Sequence, residues 1–273
     1  MEQEKGELLE AIQREYEEMY LTEICSEMID AVIPGLCRIR EDMAERYGRP
    51  VVQYITSRIK SPESIMNKLI RKNRKVTVEK AVETFNDLAG IRVVCSFQDD
   101  VYRVKKAVEK LPVIRVEKVK DYIAHPKDTG YRSIHIITRV KAGGDKKTGS
   151  RGKALSSVRL EIQICSAAMN YWAMLEHQLS YKNRRIDAEE YEKIQEKLES
   201  YAQKVFQIDV RFQKRRYEIF TDAFVQWIKR RDPQSREDRR AGLAFTGKKI
   251  RAVFRLPVQM MQKLREKSAG MRR

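Results

Sequence analysis

A chain of 273 residues with 42% hydrophobic content can bury a core and is too apolar to be disordered, so one substantial domain or two small ones is expected. The formal charge of +17 favours anionic partners, yet residues 229–273 alone hold fifteen Lys and Arg against Asp232, Glu237, Asp238 and Glu266, a net of +11. Basicity is therefore mainly a property of the tail. No apolar stretch approaches the ~18 residues of a membrane span, and Met1 to Glu10 lacks the basic start and apolar run of a secretory signal. Cys25, Cys37, Cys95 and Cys165 include no CxxC pair, which argues against a zinc site or a disulfide framework and for reduced thiols in a cytoplasmic protein.

In chain order, residues 7–47 space Leu8, Leu9, Ile12, Ile24, Met28 and Val32 among charges, the pattern of an amphipathic helix, with a break expected near Pro34-Gly35. Ser61-Pro62-Glu63 supplies an N-cap residue and a first-turn proline, so a helix is predicted from there to about Lys72. A short helix is expected over 79–86. Ile91 to Ser96 is β-branched enough for a buried strand, and Val101, Val104 and Val108 return to helical spacing. Further strands are predicted over 113–119, 133–140 and 157–164, with Gly143 to Ser150 as an exposed hairpin loop. Helix resumes near Ala167 through Trp172, Leu175 and Leu179, and a second long helix fills 187–230. Such a mixture reads as an α/β or α+β sheet covered by helices.

Several clusters carry chemistry. An extended approach to the 62–72 helix points Arg58 and Lys60 the same way, and Ser64, Lys68 and Arg71 or Lys72 share one helix face, with Ile65 and Leu69 on the other. Read alone, that face is equally a solvated basic surface. Asp87 stands just before the 91–96 strand, where a carboxylate is also a common turn residue. Glu161 alternates with Leu160 and Ile162, so it shares a polar strand face with Arg159 and Gln163 and needs a partner there. Two carboxylates from separate elements, together with substrate phosphates, suit magnesium. Gly130 to His135, GYRSIH, places an aromatic ring, a guanidinium, a hydroxyl and an imidazole where a turn meets a strand. Gly242 to Lys249 mimics the start of a P-loop but has Lys249 where Ser or Thr is required and no buried strand before it.

The strings DLAGIRVVCSF at 87–97, VKDYIAHPKDTGYRSIH at 119–135 and VRLEIQICSAAMNYWAMLEHQLSYK at 158–182 together resemble the synthetase domain of the RelA/SpoT family, in the form of a stand-alone small alarmone synthetase with no hydrolase domain. The resemblance covers about residues 50–182. It implies a nucleotidyltransferase-like mixed β-sheet of about five strands flanked by helices. The expected organisation is an N-terminal helical region over 1–49, the synthetase core over 50–182, a long C-terminal helix over 183–231 and a basic tail over 232–273. The implied activity is transfer of the pyrophosphate group of ATP to the 3′-hydroxyl of GDP or GTP, with release of AMP.

Carried onto this chain, the family's ATP motif falls on Arg58, Lys60, Ser64, Lys68 and Lys72, with Arg92 against adenine opposite Arg58. Asp87 and Glu161 match the Mg²⁺-binding carboxylates, and Glu161 also the group that activates the acceptor hydroxyl. The acceptor guanosine would stack on Tyr131, with Asn170 at the base edge, Lys120, Lys127 and His135 at phosphates and Gln163 on the floor. Cys165 stands where many relatives have arginine, and the family's RxKD motif reads Lys118-Val119-Lys120-Asp121, which leaves the GDP or GTP preference open. The resemblance also implies a homo-oligomer, often a homotetramer. The competing reading is an RNA- or ribosome-binding protein with a nucleotide-sensing domain, its tail supplying phosphate affinity.

Overall fold

The computed structural model describes residues 2–141, 157–182 and 188–229. The chain divides into two compact units, Met1–Glu45 with Arg49–Asp209, and Arg46–Gly48 with Val210–Arg273. The expected hairpin loop, the P-loop mimic and the basic tail lie outside the described residues.

Two N-terminal helices, α1 (Glu2–Glu18) and α2 (Leu21–Tyr47), replace the single interrupted helix expected. The break falls at Tyr20, which takes a positive φ of 50°, while Pro34 sits inside α2 without ending it. A proline removes one backbone donor and strains the helix. Here the buried stripe of Leu21, Ile24, Met28, Val32, Leu36, Ile39 and Met43 runs on past it, so packing outweighs that local cost. Gly35 admits Leu111 against the helix, where an added Cβ would lie 2.9 Å from Leu111 Cδ2.

After α2 come β1 (Val52–Ile59), α3 (Pro62–Arg71), α4 (Val78–Thr84), β2 (Ala89–Cys95), α5 (Gln98–Val108), β3 (Ile114–Asp121), β4 (Ile134–Val140), β5 (Leu160–Ser166), α6 (Ala167–Lys182) and α7 (Ala188–Lys229). Ser61 caps α3, its Oγ accepting from Ser64 N at 3.3 Å, with Pro62 in the first turn as the sequence predicts. Strand β1 was not signalled by hydrophobic pattern, because as an edge strand it buries only Val52 fully. Ser157, Val158 and Arg159, expected in the last strand, precede it instead.

The five strands form one mixed sheet in the order β1-β2-β5-β4-β3, with β2 and β5 parallel and every other pair antiparallel. Val101, Val104 and Val108 of α5 are fully buried against β2 and β5, covering one face. Helix α1 packs on α3 and α4, where Tyr16 donates to the Lys60 carbonyl at 3.1 Å and Glu15 accepts from Val78 N at 2.7 Å. Those contacts fix the junction from β1 to α3, which carries part of the site.

Candidate active site

The register places one row of side chains across the whole sheet. Thr56 faces Arg92, Arg92 faces Gln163, Gln163 faces His135 and His135 faces Lys120, so all five lie on one face. The next row aligns Arg58, Gly90, Glu161, Ile137 and Lys118. At Gly90 an added Cβ would make only ordinary contact with Arg58, its nearest atom being Cγ at 3.6 Å. Above this face opens a cleft of about 840 Å³.

Of the residues singled out from sequence, Arg58, Lys68, Lys72, Asp87, Arg92, Lys120, Lys127, Tyr131, His135, Glu161 and Gln163 line that cleft. A smaller hollow of about 140 Å³ shares Arg58, Asp87, Arg92, Glu161 and Gln163 with it. Lys60, Ser64 and Asn170 are not among the residues that line the cleft. Lys60 Nζ donates to Asp87 Oδ2 at 3.0 Å. The Ser64 hydroxyl is engaged by the Ser61 cap at 2.9 Å. Asn170, only 5% exposed, accepts from Arg92 Nη1 at 3.1 Å and donates to the Tyr54 hydroxyl at 2.8 Å.

One flank is organised by Asp87. Its Oδ1 accepts from Lys68 Nζ at 2.6 Å, and Lys68 also lies over the Phe85 ring at 4.4 Å, with Lys72 over the same ring at 5.9 Å. Burial pushes the Asp87 carboxyl up, but the bonds and charges of Lys68 and Lys60 more than offset it and hold it at about 2. Lys60 is pushed down by burial despite Asp87, so this pairing is less favourable than the carboxylate alone suggests.

The other flank is organised by Glu161, 7% exposed. Its Oε1 meets His135 Nδ1 at 2.9 Å and its Oε2 accepts from Gln163 Nε2 at 2.7 Å. Burial raises this carboxyl, and the His135 and Gln163 bonds bring it below its ordinary value, so it stays ionised. A carboxylate only accepts, which assigns the Nδ1 proton to the Glu161 side. In neutral imidazole, Nε2 then accepts from the Tyr131 hydroxyl at 2.9 Å. Burial pushes that phenol up to about 12, keeping its proton. Tyr122, Tyr131 and His135 pack edge to face, and Lys127 Nζ lies 4.7 Å from the Tyr131 ring centre.

Arg92 joins the flanks, donating Nε and Nη2 to Gln163 Oε1 at 3.2 and 2.9 Å. A continuous chain thus runs from Tyr54 through Asn170, Arg92, Gln163, Glu161 and His135 to Tyr131. Sequence reasoning missed Phe85, Tyr122 and the cleft-lining residues Ala173, Met174 and His177 of α6. The last group follows Asn170 at helical spacing, a signal that was legible. Among the described residues, no group of three or more His, Cys, Asp or Glu gathers for a metal. Asp87 and Glu161 feel each other's charge, and such a two-carboxylate set fits magnesium, which retains water and substrate phosphate ligands.

A mixed sheet whose one face gathers two carboxylates among lysines, arginines and aromatic rings has the make-up of a site for polyanionic nucleotides. Comparison with known proteins gives the class. The profile "Region found in RelA / SpoT proteins" matches residues 57–186. The chain is 37% identical over 154 residues to GTP pyrophosphokinase YwaC of Bacillus subtilis, a match covering 56% of this chain and 70% of that protein. It is 36% identical over 134 residues to GTP pyrophosphokinase YjbM of the same organism, covering 48% and 57%. The crystal structure of small alarmone synthetase 2 from Bacillus subtilis superposes with a TM-score of 0.56 at 31% identity, over 71% of this chain and 96% of that one. Small alarmone synthetase 1 from the same organism, bound to its product pppGpp, gives 0.59 at 26%, over 74% and 97%. The chain belongs to the RelA/SpoT family.

Proposed function

We propose that this protein is a GTP pyrophosphokinase, a (p)ppGpp synthetase that moves the β,γ-pyrophosphate of ATP to the 3′-hydroxyl of GDP or GTP and releases AMP. The observation that carries this reading is one cleft with two unlike flanks. Lys60 and Lys68 hold Asp87 on one, and on the other His135 holds Glu161 and meets Tyr131, with Lys127 over the Tyr131 ring. The relatives named GTP pyrophosphokinases support it.

In this reading Arg58, Lys60, Lys68, Lys72 and Arg92 serve ATP, and Lys120, Lys127, Tyr131, His135 and Gln163 serve the acceptor. Ser64 acts through the α3 cap, and Asn170 through its bond to Arg92 or directly at the guanine edge. The ionised Glu161 takes the proton of the acceptor 3′-hydroxyl as its oxygen bonds to the β-phosphorus, and the bond from that phosphorus to the α,β-bridging oxygen breaks to free AMP. Lys68 and Lys72 neutralise charge gathered on the transferred group, while Arg92 and Tyr131 orient the bases. Asp87 and Glu161 are the residues that would hold Mg²⁺, which would supply further charge neutralisation at the phosphates.

Incubation with Mg²⁺, γ-labelled ATP and GDP or GTP tests the proposal. Label on a guanosine nucleotide together with AMP is expected; label only in orthophosphate would overturn it. Cytoplasmic location accompanies the reading, supported by free thiols at Cys25, Cys37, Cys95 and Cys165. Among the described residues no helix is long and apolar enough to cross a membrane. Self-association through α7 is part of the same proposal, supported by Phe212 and Ile219, exposed 65% and 58% and seven residues apart. RNA or ribosome association is assigned to the 232–273 tail, with the core at 50–182 kept as the catalytic region.

A further inference from the structure

We infer that the first half of α7, through Ala202 and Phe206, is the positioning surface for the acceptor-binding loop and sets affinity for the guanine nucleotide without touching it. The inference rests on the proposed pyrophosphokinase reading, in which loop 122–133 presents Lys127 and Tyr131 to the acceptor.

That loop has a pinned base and a supported back. At the base Tyr122 N donates to the Ser133 carbonyl at 2.9 Å, and Asp121 Oδ1 accepts from Ile123 N and Ala124 N, both at 2.9 Å. Its tip is a tight turn, with Gly130 N donating to the Lys127 carbonyl at 2.7 Å and Gly130 at a positive φ of 78°. Hydrogen bonds of this kind close the loop on itself but leave its height over the cleft undetermined. The height is set from behind.

Gly130 lies so close to α7 that an added Cβ would fall 2.4 Å from Ala202 Cβ and 3.3 Å from Glu199 Cα. Two residues on, the Arg132 guanidinium stacks on Phe206 at 4.1 Å while its Nη1 holds the Ile123 carbonyl at 2.9 Å, bracing both limbs of the loop. Between these contacts Tyr131 packs with the buried cluster of Trp172, Leu198 and Ala202. The Trp172 indole is in turn fixed to α7 by its bond to the Leu198 carbonyl at 3.3 Å. Tyr131 is therefore held from its cleft side by His135 and from behind by α6 and α7. A shift of α7 at Ala202 or Phe206 moves Tyr131 and Lys127, whereas Lys68, Lys72 and Asp87 hang from α3, α4 and the start of β2.

Steady-state kinetics of the full chain with Ala202→Leu, Phe206→Ala and Phe206→Tyr test this, alongside calorimetric titration of GDP alone and of a nonhydrolysable ATP analogue alone. Ala202→Leu should raise the KM and Kd for GDP about tenfold and Phe206→Ala about fivefold, each leaving the ATP-side constants within about twofold. Phe206→Tyr keeps the ring and should restore near-normal GDP binding. Equal weakening of both nucleotides overturns the inference. So does unchanged GDP affinity in folded Phe206→Ala, even where Ala202→Leu fails to fold. Failure of the underlying reading looks different: the unsubstituted chain would form no labelled guanosine product whatever these variants bind.

Discussion

His135 and Glu161 meet diagonally across the β4–β5 pair, Nδ1 to Oε1 at 2.9 Å, although the register sets His135 opposite Gln163 and Glu161 opposite Ile137. The diagonal leaves Gln163 free to hold the second carboxylate oxygen from its own strand. Glu161 is thus held from two directions before any substrate arrives, which is the preorganisation a proton-accepting carboxylate needs. The same contact links it to Tyr131 on the acceptor loop.

Glu161→Gln should lower kcat by at least about 100-fold, because an amide cannot take the acceptor proton. Melting temperature should fall by roughly 3 to 6 °C, since the amide has one acceptor oxygen for the two donors, His135 Nδ1 and Gln163 Nε2, that the carboxylate satisfies. His135→Asn should retain more turnover than Glu161→Gln, as it leaves the carboxylate in place. Label transfer with calorimetry on each variant checks this; a fully active Glu161→Gln would displace the assignment of the base.

Arg92→Lys should raise the KM for ATP about tenfold or more. Arg92 reaches Gln163 and Asn170 with three nitrogens at 2.9 to 3.2 Å, a fork that a single ammonium cannot reproduce. Because Gln163 also holds Glu161, kcat should fall as well. A kinetic comparison showing KM for ATP unaltered would move adenine away from this arginine.

Much of this site was legible in the sequence where local rules act. Ser61-Pro62 fixed the start of α3, and the alternation around Glu161 put Glu161 and Gln163 on one face, whereas Arg159 precedes the strand and turns to Glu117 and the Glu83 carbonyl. The break at Tyr20 was not legible, because Pro34 is the stronger local signal and only burial of the α2 stripe overrides it. Strand β1 escaped for the converse reason: as an edge strand with one fully buried residue it carries little hydrophobic pattern. The bond from Asn170 to Arg92 joins residues 78 positions apart, so no spacing rule could announce it. Motif order supplied the cleft, and tertiary register supplied who holds whom.

Asp209→Asn should stabilise the protein at neutral pH and lose that advantage on acidification. Asp209 is 4% exposed and accepts from the Ser166 hydroxyl at 2.5 Å. Burial raises its carboxyl above the ordinary 3.8, Ser166 lowers it in part, and the charges of Asp99 and Asp100 raise it further. A folded pKa above the unfolded one means the fold favours the protonated acid. Its favourable contribution is complete below the unfolded value and is lost as pH rises through the folded one. Asparagine keeps an acceptor for Ser166 without the buried charge. Urea midpoints at pH 7 and below 3.8 measure the gap, and a gap that widened in acid would contradict the burial argument.

Asp100→Asn should cost about 3 kcal/mol, at the low end of what breaking a buried ion pair costs. Asp100 is wholly buried at the start of α5, with Arg49 Nη1 and Nη2 on its two oxygens at 2.8 and 2.7 Å and Arg103 on Oδ1 at 2.7 Å. The arginines retain 23% and 20% side-chain exposure and Asp99 also holds Arg103, so water and that second carboxylate recover part of the loss. For a chain of this size the melting temperature should fall by roughly 6 to 12 °C. Helix α5 covers the sheet face opposite the cleft, so the KM for each nucleotide should stay within about twofold at a temperature where the variant is folded. Combining Asp100→Asn with Arg49→Met should cost less than the sum of the two single changes, because the second removes a guanidinium the first has stranded. Strict additivity would show that the Arg49 pair contributes nothing to joining α5 to the chain ahead of β1.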